Sequence, residues 1–134
     1  MSVLLRPPEF DHYVISRVLA DPEMRGIVLT TEEEGVALAC GAWLGGERAV
    51  LLMQSSGVGN CVNMLSLVAA CRFPFVALVT MRGEWEEFNE WQVPMGRATP
   101  DVLEAMGVAV RRVDEPERVG ETVRAALGAA FEAE

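Results

Sequence analysis

Three stretches of the sequence gather residue types that can do chemistry. Glu32, Glu33 and Glu34 form an acidic triplet directly behind Thr30 and Thr31. Residues 54–60 read QSSGVGN, a polar run with two glycines and no charge, and Arg82-Gly83 precedes a segment of acidic and aromatic residues. A carboxylate can hold or move a proton. A polar turn that re-enters as a helix leaves backbone N–H groups free for a ligand. The triplet also has a purely structural explanation: Thr31 with Glu34 fits a capping box, and carboxylates in a first helical turn are favoured by the helix dipole.

These stretches follow the elements that must position them. Residues 49–53 are an unbroken apolar run of strand length, residues 54–60 make the turn, and a helical pattern starts at Val58 and continues through Val62, Leu65 and Val68 to about Cys71. Two further apolar runs, 26–29 and 74–80, read as strands ending just before the acidic triplet and Arg82 respectively. The resulting β-α-β-α-β rhythm with short connections predicts an α/β fold: a three-layer α/β/α sandwich with a mainly parallel sheet. Three consecutive strand ends would then offer Glu32, residues 54–60 and Arg82 to one crevice, where open α/β sheets bind their ligands.

The flanking segments complete the domain. Pro7 and Pro8 open a first helix with Phe10, Val14 and Val18 on one stripe and Ile15 and Leu19 beside it, closed by Asp21-Pro22. Behind the triplet, Gly35, Ala37, Ala39, Gly41 and Ala42 make a helix of small residues that would admit another backbone or a flat ligand. Residues 84–92 place Trp85, Phe88 and Trp91 at spacings of three among glutamates, either an amphipathic helix packed on its own domain or a lid or partner contact. Thr99-Pro100-Asp101 caps a short helix ending at Met106-Gly107, residues 108–113 form a fourth strand, and Asp114 with Pro116 begins a last helix striped by Val119, Val123, Leu127 and Phe131. No linker interrupts the chain, so residues 1–134 read as one domain.

Composition removes several function classes. The net charge is −9 and all 11 cations are arginine. Without lysine there is no Schiff-base anchor and no Walker P-loop. The acidic balance disfavours nucleic acid. His12 is the only histidine, which disfavours a Ser-His-Asp triad or a histidine-rich metal site. Cys40, Cys61 and Cys71 lie in apolar surroundings without a C-x-x-C, so buried thiols in a reducing compartment are the simpler reading. The longest uncharged stretch, residues 49–71, contains a polar turn and is not a membrane span, and a soluble, cytoplasmic protein is expected. An apolar content of 51% in so acidic a chain points to a buried partner face.

The residues also carry a resemblance. TEEEGVALACGAWLGGERAVLLMQSSGVGN, followed by RGEW, by QVPMG at residues 92–96 and by Thr99, resembles the pyrimidine-binding domain of thiamine-diphosphate-dependent 2-oxoacid decarboxylases, nearest to the sulfopyruvate decarboxylase α subunit and the matching part of phosphonopyruvate decarboxylase. The likeness runs from about residue 5 to 132. The family's signature is a glutamate nine residues before a helix glycine, and Glu32 precedes Gly41 by nine. The resemblance therefore implies that Glu32 is the catalytic carboxylate that hydrogen-bonds N1′ of the cofactor's aminopyrimidine, in a dry pocket. It implies cofactor contacts from Thr31, Gln54, Gly57, Gly59 and Asn60 and substrate contacts from Ser55, Ser56, Arg82 and Gln92.

Departures from the family pattern shape the expectation. The usual loop is QNSGLGN, and Ser55 replaces its asparagine. The histidine pair of pyruvate decarboxylases cannot be present. Arg82 suits an anionic substrate group through its bidentate fork, with an ordinary ion pair as the alternative. The diphosphate and Mg²⁺ are bound in the family by a second domain with a GDG motif, which this chain lacks, so metal ligands are expected on a separate PP-domain β subunit. The implied function is the α subunit of a decarboxylase of a small anionic 2-oxoacid, sulfopyruvate first and phosphonopyruvate second, in a hetero-oligomer with little activity alone. Homodimerisation is expected when the partner is absent. The competing reading is a non-catalytic ligand-binding or assembly module of the same fold, against which the retained Glu32 argues.

Overall fold

A computed structural model describes residues 1–5 and 10–132, without the side chain of Asp11. Its four strands are β1 (Ser2–Leu5), β2 (Val50–Gln54), β3 (Val76–Thr80) and β4 (Val110–Val113). They form one sheet in the order β2-β3-β1-β4, with every pair parallel. Five helices accompany them: α1 (Phe10–Ala20), α2 (Glu32–Leu44), α3 (Ser55–Cys71), α4 (Val93–Ala105) and α5 (Val119–Phe131).

Alternation along the strands divides the core in two. Leu4, Leu51, Met53, Ala77 and Val79 face a cluster with Val36 and Ala39 of α2, Val58, Cys61 and Leu65 of α3, and Leu103 of α4. Val3, Leu5 and Leu78 face the other side, against Val119 and Ala126 of α5, with Phe10 of α1 and Val123 packed on them. Helices thus cover both faces, as the unbroken apolar runs require, and the three-layer α/β/α sandwich is the observed fold. At Gly35 a Cβ would lie 2.3 Å from Leu51 Cδ1. That member of the small-residue helix is consumed by packing on its own sheet, whereas Gly41 meets nothing within 4 Å.

The structure corrects several local expectations. Residues 26–29 are not a strand: they run irregularly into α2, with Val28 97% exposed. The strand that fills the sheet is Ser2–Leu5, all four residues buried between β3 and β4. The expected helix start at Pro7 and Pro8 lies outside the described residues. The helix expected from Thr99 begins at Val93, with Pro94 in its first turn and Pro100 inside it. Thr99 therefore does not cap: its hydroxyl donates to the carbonyl of Met95 at 2.8 Å, within the helix. Residues 84–92 form turns and a 3₁₀ turn (Glu90–Gln92), not an amphipathic helix. The last helix stripe is buried at Val119 and Ala126, while Leu127 and Phe131 are half-buried. Phe131 lies against Trp43, ring centroids 6.1 Å apart.

Candidate active site

The QSSGVGN segment is not a free turn. Helix α3 starts at Ser55, so most of the segment is the first two turns of that helix, directly after β2. Its glycines serve close approach. A Cβ on Gly57 would lie 2.5 Å from Cγ and 2.6 Å from Oε1 of Glu32, and one on Gly59 would lie 3.3 Å from the sulfur of Met95. Glu32 is the first residue of α2, which packs beside α3. The two helix starts therefore meet with the Glu32 side chain lying across the bare backbone of Gly57. One turn further along α3, Asn60 Nδ2 donates to Glu32 Oε2 at 2.8 Å. A position without a side chain and an amide donor together fix the carboxylate. Glu32 remains half-buried, so this chain supplies its floor and leaves one side open.

The charge of Glu32 is felt beneath it. Cys61 is fully buried in the core below, and burial, with the Glu32 carboxylate beside it, pushes its thiol up to about 11. The capping box is realised only in part. Thr31 occupies the cap position without a side-chain cap, and Glu34 instead reaches back to the N–H of Thr30 at 2.9 Å. Of the three acids, Glu34 is tied to the helix start, while Glu32 reaches α3.

The end of β3 is bound to the same helix start. Ser55 is completely buried, and its hydroxyl accepts the backbone N–H of Arg82 at 2.9 Å. Ser55 thereby positions the end of β3 against the start of α3. Thr99 Oγ1 is 3.4 Å from the carbonyl of Ser55, linking α4 to α3. Gly96 of α4 is pressed onto the Arg82 carbonyl, where a Cβ would approach to 2.0 Å, and Gly83, with φ +76°, lies against the backbone of Gln92 and Val93. The RGEW and QVPMG motifs are thus two halves of one joint.

The Arg82 guanidinium is already engaged. Its Nε donates to Glu87 Oε2 at 2.8 Å and its Nη2 to Oε1 at 2.6 Å. Glu87 also accepts the N–H groups of Gly83 and Asn89, both at 2.9 Å. The arginine and these backbone donors hold the Glu87 carboxyl at about 2, far below its ordinary value. Sequence reasoning missed Glu87 because an acid five residues after an arginine looks like any other member of a glutamate-rich segment. Thr31 and Gln54 are exposed at the cap positions of α2 and α3, and Ser56 and Gln92 are half-buried. The site thus brings Glu32, Gly57 and Asn60 into direct contact and ties Ser55 to the Arg82 backbone, while the Arg82 side chain turns to Glu87.

No protein-family model matches the chain. It is 41% identical over 111 residues to the sulfopyruvate decarboxylase subunit alpha of Methanothermobacter thermautotrophicus, a match covering 82% of this chain and 67% of that protein. The corresponding subunit of Methanococcus maripaludis is 38% identical over 96 residues, covering 71% and 58%. A phosphonopyruvate decarboxylase of Streptomyces viridochromogenes is 44% identical over 93 residues, 68% of this chain and 23% of that protein. The structure itself defines the class: a parallel α/β sandwich with a carboxylate fixed between two helix starts. The chain belongs to the family of sulfopyruvate and phosphonopyruvate decarboxylases.

Proposed function

We propose that this chain is the α subunit of a thiamine-diphosphate-dependent decarboxylase that converts a small anionic 2-oxoacid to the aldehyde and carbon dioxide. Sulfopyruvate is the favoured substrate and phosphonopyruvate the second, because relatives named as separate α subunits are sulfopyruvate decarboxylases. The cofactor would lie between this chain and a separate diphosphate-binding chain.

The observation that carries this reading is the Glu32 carboxylate, held by Asn60 over a helix position where no side chain fits. The residues present suit a flat nitrogen heterocycle: one aimed carboxylate, the uncharged QSSGVGN stretch beside it, and the early N–H groups of α3. Glu32 would hold and share a proton with such a ring, and Asn60 would keep the carboxylate in one orientation. Thiamine diphosphate, when bound, supplies the carbon nucleophile and the electron sink for decarboxylation. Water exclusion strengthens a shared proton of this kind, and a second chain would complete it over the open side of Glu32. Mg²⁺ ligands are assigned to that second chain. Arg82 would meet a substrate anion as part of its pair with Glu87, a partly neutralised cation rather than a free one.

The test is carbon dioxide release from sulfopyruvate and phosphonopyruvate by this chain combined with a GDG-bearing chain, thiamine diphosphate and Mg²⁺, beside the same complex carrying Glu32→Gln. Turnover that needs both chains and collapses with Glu32→Gln is expected. Cofactor binding without turnover of either acid would mean another 2-oxoacid, and no cofactor binding would leave an assembly module.

A further inference from the structure

The segment 84–91 is built inside out. Two of its four acids turn inward: Glu87 is 7% exposed at its side chain and accepts four hydrogen bonds, and Glu84 pairs with Arg112 at 2.7 Å. Its aromatics turn outward, Trp85 83%, Phe88 93% and Trp91 74% exposed. The two ends are clamped where Gly83 meets the Gln92 backbone, and Gln92 N–H donates to Asn89 at 2.9 Å. A segment that packed on its own domain would bury the rings and expose the carboxylates. Rings of this size present roughly 150–250 Å² each, held on a loop already fixed in shape, so little ordering entropy remains to be lost when they are covered.

We propose that this loop is a docking knob for the separate chain that completes the active site, and that it seats on a surface of that chain bearing arginine or lysine. The choice of occupant rests on charge. Glu86 and Glu90 stand exposed among the rings, the chain carries −9 overall, and tryptophan faces flanked by carboxylates attract cations both through the ring and through the acid. A second copy would bring another chain of net charge −9. Place supports it too: the loop directly follows Arg82 at the strand end joined to α3, the helix that also holds Glu32 through Asn60. The inference rests on the two-chain reading above and names where the second chain binds.

The experiment measures association of the full chain with the GDG-bearing chain by calorimetry and by tryptophan emission, and turnover in the same samples. Trp85→Ala and Trp91→Ala, both at exposed positions with folding checked by circular dichroism, should each weaken association about 10-fold or more. Glu86→Arg should weaken it further at low salt, and raising salt from about 50 to about 500 mM should weaken the wild-type complex. Emission should shift to the blue as the rings are covered. Glu32→Gln should abolish turnover and leave association unchanged. Undiminished association of both tryptophan variants would overturn the knob while leaving a Glu32-dependent decarboxylase standing. Tryptophan-dependent association without turnover and without thiamine diphosphate binding would keep the knob and sink the decarboxylase. Self-association lost in the tryptophan variants, lowered turnover at unchanged association, or no association with the GDG-bearing chain would each overturn the proposed occupant.

Discussion

Glu32 depends on two neighbours that sequence spacing does not connect to it. Gly57→Ala would place a methyl 2.5–2.6 Å from the Glu32 side chain and force the carboxylate off α3. Turnover of the reconstituted complex should fall by more than 10-fold, with thermal stability reduced by only a few degrees; calorimetric melting beside a carbon dioxide assay separates the two effects. Asn60→Ala removes one donor and adds no clash, so a smaller loss of turnover is expected, about 10-fold, with the melting temperature nearly unchanged. Glu87 supplies a pH test. Its folded value, about 2, lies below the ordinary 4.5, so the unfolded chain binds the proton first. The stability Glu87 contributes is complete above about 4.5 and is lost as pH falls toward about 2. Glu87→Gln should therefore be less stable than wild type at about pH 5 and show a smaller further loss at about pH 3, read from urea midpoints.

The elements are locked together by short polar and close-packed contacts. Ser55 joins the start of α3 to the end of β3 through one buried hydrogen bond. Ser55→Ala leaves the Arg82 N–H without that acceptor and should cost about 1–3 kcal/mol of unfolding free energy. Gly96→Ala drives a methyl to 2.0 Å from the Arg82 carbonyl, so α4 must move away, at a cost of about 1–3 kcal/mol or more. Chemical denaturation measures both, and the two losses should be less than additive because both variants disturb the same joint. Much of this level was readable beforehand. The apolar runs became β2, β3 and β4, and the periodic segments became α3 and α5. What was misread shares one cause, that local pattern names a type of residue and not its partner. Residues 26–29 and Ser2–Leu5 are similar apolar tetrads, and only the vacancy between β3 and β4 selects the second. Glycines at 57 and 59 suggested a turn, yet neither has a positive φ; they permit approach within a helix.

At the scale of the molecule, apolar surface remains uncovered away from the site as well, at Tyr13, Leu19, Met24, Val28 and Leu44, in keeping with the apolar excess of the composition. Among the described residues no helix is long and apolar enough to cross a membrane, and no group of three or more His, Cys, Asp or Glu could hold a metal ion. The cysteines differ by burial: Cys71 is exposed, while Cys40 and Cys61 are buried, and burial raises both of these thiols. A thiol reagent at mildly alkaline pH should label Cys71 alone in the native chain and all three after denaturation, counted by mass spectrometry.

The sequence by itself determined the layer architecture, because apolar periods encode it, and the family, because its motifs resemble that family in order and spacing; the role proposed for Glu32 rests on that same resemblance. Tertiary structure decided which motif residues meet. Asn60 meets Glu32 across 28 residues, Ser55 meets Arg82 across 27 and Thr99 meets Ser55 across 44. Such pairings arise only when parallel strands bring distant helix starts to one edge of the sheet, and no local spacing encodes them.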